Sequence, residues 1–248
     1  MIVLKMYVKA LEAVEVTVMT KFLTFCILFL LVSTASGGIL EDVETLCQQN
    51  RLSGTAGCVA AEKYIASRLG DVEYQQVGRY GKNIIQVTPG SDDVIVLCAH
   101  YDSIGPGADD NASGVATVLN LDIKRPETVI KILFVGEEQG LHGSRHYVKN
   151  PVRPLKNHKL VVNFDMVGHL KRQPMTSILY RAGNQGTDSD PFYAKGVPIL
   201  FVHTGLHEHY HRSTDLPNTL DYYGLSIIQG YDYLKVDLKT LEEYKGTR

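Results

Sequence analysis

No block of lysine or arginine interrupts this chain, and it has no internal repeat or low-complexity tract. Its formal net charge is −2 at pH 7. These absences leave no electrostatic footprint for nucleic acid or for an anionic membrane surface as partner. A stretch long enough to span a bilayer is missing too. The apolar run Phe22–Val32 is well short of the roughly 20 residues a spanning helix needs. Cysteine is sparse, with four in 248 residues. Cys98 lies inside an apolar run with no basic neighbour in sequence to lower its pKa, so it reads as a small buried hydrophobe rather than a nucleophile.

The composition is that of one globular domain, with 44% hydrophobic and 21% charged residues. Lys21, the run Phe22–Val32 and the small residues Ser33–Gly38 follow the order of a secretory signal peptide. Met19 stands where the initiator of such a signal belongs, which makes Met1–Val18 an upstream extension. The plan is therefore an extension and signal over 1–37 and a single domain over 38–248. It implies a secreted or periplasmic protein with no stable membrane anchor once the signal is cleaved; the alternative is an uncleaved signal anchor. Cys26 leaves with the signal. Cys47 and Cys58 flank a Gly-containing loop, and export permits oxidation, so a disulfide between them is expected, with two unpaired thiols as the alternative.

Periodicity and breakers divide the domain. A helix is expected over Gly57–Leu69, then a hairpin of Val72–Val77 and Asn83–Thr88 turning at Arg79-Tyr-Gly81. Asp93–Ala99, Val129–Val135, Leu160–Phe164 and Pro198–Val202 read as core strands. Asn111–Asp122 and Leu141–Lys149 read as short helices, and Tyr222–Tyr244 as a long amphipathic one. Lys171–Gly186 is loop with one edge strand near Ser177–Tyr180. Strands alternating with helices argue for an α/β three-layer sandwich with a mixed, largely parallel central sheet.

Potential ligands gather where these strands end. His100-Tyr-Asp102 through Asp109-Asp110-Asn111 follows the first core strand, and Gly136-Glu137-Glu138 the second. Asp165 interrupts the apolar end of the third, where burial without a partner is costly. The stretch after Val202 holds four histidines, His203, His207, His209 and His211. Each cluster alone could be a solvated polar turn or a salt-bridged acid. Four of them at the carboxyl ends of different strands, where open α/β sheets bind ligands, point to a metal-dependent hydrolase with two metals.

In that order, His100-x-Asp102, Gly107-Ala-Asp-Asp-Asn-Ala-Ser-Gly114, Gly136-Glu-Glu-Gln-Gly-Leu-His-Gly-Ser144, Asn163-Phe-Asp-Met-Val-Gly168 and Tyr210-His-Arg-Ser-Thr-Asp215 resemble the M28 zinc peptidases, the family of the secreted bacterial leucyl-type aminopeptidases. Asp188–Leu200 matches a further pattern of that family. The resemblance runs from about Leu46 to Tyr222. It implies a phosphorylase/hydrolase-like zinc peptidase fold and two zinc ions bridged by Asp110. His100 and Asp165 would complete one site, Glu138 and His211 the other. Glu137 would be the general base for a zinc-bridging water that hydrolyses the N-terminal peptide bond of peptides or proteins. Tyr210 would stabilise the oxyanion, Asp102 would orient His100, and His207 is a candidate for the substrate cleft. Asp109 has no ligand role in the pattern. The Asp110–Asn111 bond is a candidate cis peptide, and the sequon at Asn111 is expected to be silent beside the bridge.

Two connections are shorter than the family pattern, where the helix after Asn111 soon reaches Lys124-Arg-Pro126 and between Gly168 and Asp188. The second is where relatives place an extra strand–helix–strand excursion that helps to form the substrate cleft. The alternatives to an aminopeptidase are a glutaminyl cyclase-like transferase with one zinc, a carboxypeptidase, and a catalytically impaired compact homologue.

Overall fold

Apolar runs bounded by glycine and proline become the strands of a single sheet. The computed structural model describes residues 38–243, apart from 182, 184 and 185. The expected extension and signal over 1–37 lie outside the described residues. Seven strands, β1 (Glu73–Gln76), β2 (Lys82–Thr88), β3 (Ser91–His100), β4 (Glu127–Phe134), β5 (His158–Phe164), β6 (Leu179–Tyr180) and β7 (Ile199–Val202), are ordered β1-β2-β4-β3-β5-β7-β6. The four central strands are mutually parallel. The β1–β2 hairpin joins β4 antiparallel, and β6 closes the other side antiparallel to β7. The sheet is thus mixed, with its parallel part at the centre, as expected from sequence.

Helices cover both faces. Residues 38–46 (α1), α2 (Ala56–Leu69), α3 (Gly114–Asn120) and α6 (Tyr222–Gln229) pack on one, and α4 (His142–Lys149) and α5 (Asp190–Tyr193) on the other. Successive side chains of a strand point to opposite faces. Ile95, Leu97 and Ala99 of β3 therefore enter the first core with Ile65, Val115 and Leu225. Val94, Val96 and Cys98 enter the second with Tyr147 and Phe192. A strand buried on both sides needs an unbroken apolar run, and that is what made β3 and β4 readable.

Lys131 departs from that pattern. It lies within β4, and its Nζ donates to the Leu119 carbonyl at 3.1 Å. Burial pushes its amine down to about 8. The charged form is therefore disfavoured in the fold, and the penalty is complete below pH 8. It fades as the pH rises from there towards the ordinary lysine value of about 10.4. Lys131→Met is expected to raise stability in urea at pH 7, with the gain shrinking above pH 8. A variant no more stable than the parent at pH 7 overturns this account.

Two expectations are corrected. The C-terminal helix does not run from Tyr222 to Tyr244, the last residue of which lies outside the described residues; α6 ends at Gln229. Gly230 closes it, Asp232 caps a short turn over Tyr233–Lys235, and Tyr233 inserts into the core edge-on to Phe164, ring centroids 5.0 Å apart. Burying one large aromatic ring outweighs continuing an exposed helix. Cys47 and Cys58 do not form a disulfide; both are free thiols. Cys58 enters the core from the first turn of α2, its thiol pushed up to about 12 by burial, with Gly54 and Tyr101 as neighbours. The Cys47 thiol lies against Arg51 instead.

Candidate active site

The parallel strands β3, β4, β5 and β7 end on one rim, and each hands over a different part of the site. His100 is the last residue of β3, Glu137 and Glu138 follow β4, Asp165 follows β5, and His211 lies in the loop after β7. Asp110 comes from a tight turn over Ala108–Ser113, wound as a distorted helix with non-helical angles at Asp110 and Asn111. The Asp110–Asn111 peptide bond is cis, as the resemblance implied. The turn packs so closely that a Cβ at Gly114 would meet the Asn111 side chain and the Phe164 carbonyl.

Asp110 sits between two imidazoles. Its Oδ1 is 3.2 Å from His100 Nε2, and its Oδ2 is 3.0 Å from His211 Nε2. Each histidine also faces a second carboxylate. His100 Nε2 is 3.5 Å from Asp165 Oδ1, and His211 Nε2 is 3.1 Å from Glu138 Oε2. Glu137 offers an oxygen to the same cluster as His100 and Asp165. The left-handed backbone of His211, φ 56°, is uncommon for a residue with a side chain and is held by the surrounding loop. The Tyr210 ring stacks on His211, centroids 3.8 Å apart.

The electrostatics follow from this crowding. Burial opposes ionisation of Asp110, yet the bonds from His100 and His211 bring its carboxyl well below the usual range. His211 is raised to about 10 by its bonds to Asp110 and Glu138. Burial opposes the charge on His100, but Glu137, Asp110 and Asp165 outweigh it and raise its pKa. Burial raises Glu137 well above an ordinary glutamate, and nearby Asp165, Asp188 and Glu138 add to the shift. Asp188, buried close by, is pushed up to about 7 by burial. Acids gathered this tightly call for positive charge. The donor set, two imidazoles and three carboxylates with one carboxylate facing both imidazoles, fits a pair of divalent metals.

Asp102 contacts His100, the residue it was expected to orient, through two of its oxygens. The shorter contact to His100 Nδ1 is its backbone carbonyl, at 3.1 Å, while its carboxylate stands 3.8 Å away. That carboxylate accepts from Ser53 Oγ at 2.8 Å and from the Glu137 backbone N–H at 3.2 Å, so it ties the turn carrying Glu137 to the strand end. The structure turns His207 inward. Its Nε2 meets Asp109 at 3.0 Å, and its Nδ1 accepts the His209 N–H, which leaves neither ring nitrogen to face a cleft. Asn111 is fully buried, with its amide donating to the Phe164 carbonyl, so its sequon is inaccessible.

Sequence reasoning missed several supports. Asp215 accepts the backbone N–H groups of Asp109 and Asp110 at 2.9 and 3.1 Å and so orients the turn that carries Asp110. Arg51 is fully buried and donates to the carbonyls of Leu46, Tyr101, Pro106 and Gly107, pinning the chain between His100 and the turn. Asp215 stood inside a quoted motif without a role. Arg51 and Ser53 lie in an ordinary polar loop with no local signal. The short Gly168–Asp188 connection supplies the two-residue edge strand β6.

An α/β sheet with helices on both faces in this arrangement recurs among solved enzymes. The aminopeptidase LapA of Legionella pneumophila has it, with a TM-score of 0.69 at 17% identity over 80% of this chain and 71% of that one. So does a glutaminyl cyclase of Porphyromonas gingivalis, with a TM-score of 0.64 at 18% identity over 78% of this chain and 94% of that one. At these identities the likeness is one of fold. The model of "Peptidase family M28" matches residues 83–185, the stretch that carries His100, Asp110, Glu137, Glu138 and Asp165, and supports an M28 peptidase. A relative from Aspergillus oryzae, described as a probable leucine aminopeptidase 2, is 30% identical over 75% of this chain. The match spans 36% of that relative's length, and 25% and 18% of two other curated relatives.

Proposed function

We propose that this chain is an exported dizinc aminopeptidase. The observation that carries the reading is Asp110, which offers one carboxylate oxygen to each of two histidines at 3.2 and 3.0 Å. His100 and Asp165 would hold one zinc, Glu138 and His211 the other, with Asp110 shared. When bound, such a pair polarises the scissile carbonyl and lowers the pKa of water.

The chain's own groups supply the rest. Glu137, raised by burial, takes the proton of the attacking water as its oxygen bonds to the carbonyl carbon, and passes that proton to the amine that leaves. The Tyr210 hydroxyl, kept protonated by burial and neighbouring carboxylates, donates to the developing oxyanion. Asp102 holds the Glu137 turn, and Glu138 is itself held by the Ile104 N–H at 3.1 Å. The substrate is a peptide or protein N-terminus, as the names of the relatives suggest. Export rests on the signal-like order of Lys21–Gly38, outside the described residues. No helix among the described residues is long and apolar enough to cross a membrane.

A second reading, a glutaminyl cyclase-like transferase with one zinc, is favoured by the fold match over 94% of such an enzyme. A peptide beginning with Gln separates the two by mass spectrometry. Loss of the first residue, together with turnover of aminoacyl chromogenic substrates, supports the aminopeptidase. Loss of ammonia alone overturns it in favour of the cyclase. Zinc binding without turnover on either substrate points to an impaired compact homologue.

A further inference from the structure

Beside the proposed paired centre lies a second set of donors that it does not use. We infer that Asp109, His169 and His207 form a separate single-zinc site. It would pin the loop carrying Tyr210 and His211 to the body of the sheet. The three side chains offer ligand atoms within 4.8 Å of one another. Asp109 is fully buried, His169 is 7% exposed, and the His207 side chain 4%.

Asp109 lies in the same turn as Asp110, immediately before it, but its carboxylate serves other partners. Oδ1 accepts the Gly168 N–H at 2.6 Å and Ser113 Oγ at 3.0 Å. Oδ2 faces His207 Nε2 at 3.0 Å. The His169 ring stacks on His207 with centroids 4.1 Å apart and planes 28° from parallel. Three segments remote in sequence thus converge: the turn before α3, the turn after β5 and the loop after β7.

An Asp–His bond alone would account for Asp109 and His207. It leaves His169 unexplained, because His169 Nε2 is buried and has no hydrogen-bond partner. Buried polar groups are almost always satisfied, and a metal ion shared with Asp109 and His207 would give His169 the partner it lacks. Two imidazoles and one carboxylate suit zinc, with water as the fourth ligand. The proton balance is simple. His207 Nδ1 now accepts the His209 N–H at 3.2 Å, so Nε2 carries the ring proton. Zinc at Nε2 moves that proton to Nδ1 and opens this single local bond, with no net proton released.

The test is a zinc count on the full chain after dialysis against zinc-buffered solution. His169→Ala is expected to hold one zinc fewer per chain than the parent. The double variant Glu138→Ala/His211→Ala is expected to keep that zinc while losing metal from the paired centre. Because the count is relative, it stands even if the paired centre binds nothing; the parent then holds one zinc and His169→Ala none. Equal counts in the parent and His169→Ala overturn the proposal. If His169→Ala does not fold, zinc-edge anomalous diffraction from zinc-equilibrated parent crystals decides. A peak among Asp109, His169 and His207 supports the site, and its absence rejects it.

Discussion

Glu137→Gln is expected to keep fold and zinc content while turnover falls by about 10²–10⁴-fold, the range for loss of a positioned general base. A thousandfold loss corresponds to about 4 kcal/mol of transition-state stabilisation. The amide matches the carboxylate in size, so the packing around it survives. It cannot accept the proton of the attacking water, and it has none to give to the leaving amine. Stability should not suffer. Burial and the nearby acids already disfavour the Glu137 charge, so a neutral amide relieves an unfavourable ionisation. The metal-free variant is therefore expected to melt at the same temperature as the parent or higher. The measurement combines kcat on an aminoacyl chromogenic substrate, zinc analysis and thermal unfolding. Near-parental kcat removes Glu137 as the base. Lost turnover together with lost zinc would make it a ligand instead.

Asp110→Asn is expected to act on the metals themselves. The carboxylate presents one oxygen to each histidine, and an amide keeps only one of the two acceptors. Its NH₂ group would face the other position as a donor, where an acceptor is required. Bound zinc in the paired centre should fall from two to one or none, and activity with it. A variant that retains both zinc ions sinks the bridging role. The metal-free protein offers a second readout. His211 is raised to about 10 in the fold by Asp110 and Glu138, above the ordinary histidine value of about 6.5. A raised folded-state pKa stabilises fully below the unfolded value and loses that contribution as pH climbs through the folded one. Metal-free parent protein should thus lose stability between about pH 6.5 and 10. Asp110→Asn removes the first of the two partners, so His211 should titrate lower by NMR, and the stability loss, starting from the same pH, should be smaller and end at lower pH.

Local pattern carried much of this molecule. β3 and β4 are long apolar runs because both their faces are covered, and such runs are visible residue by residue. The ligand clusters were legible for a related reason. Acids and histidines directly after apolar strands are hard to explain as core, and parallel strands deliver their carboxyl ends to one rim. The C-terminal helix misled because its periodicity continues past Gly230, while the pull on Tyr233 comes from Phe164, far away in sequence. The disulfide misled because the loop between Cys47 and Cys58 says nothing of where each sulfur points.

What the sequence determined by itself was therefore chemistry by strand end: which residue types follow which buried run, and from this the sheet and the acids and histidines that gather at one of its rims. Tertiary structure decided who meets whom. Arg51 among four carbonyls, Asp215 under the Asp109 and Asp110 amides, and Asp109 against His207 and beside His169 are all contacts between distant segments. The physical reason is range. Periodicity and turn chemistry act over a few residues, whereas satisfying a buried charge or an orphaned nitrogen depends on whatever the fold brings beside it.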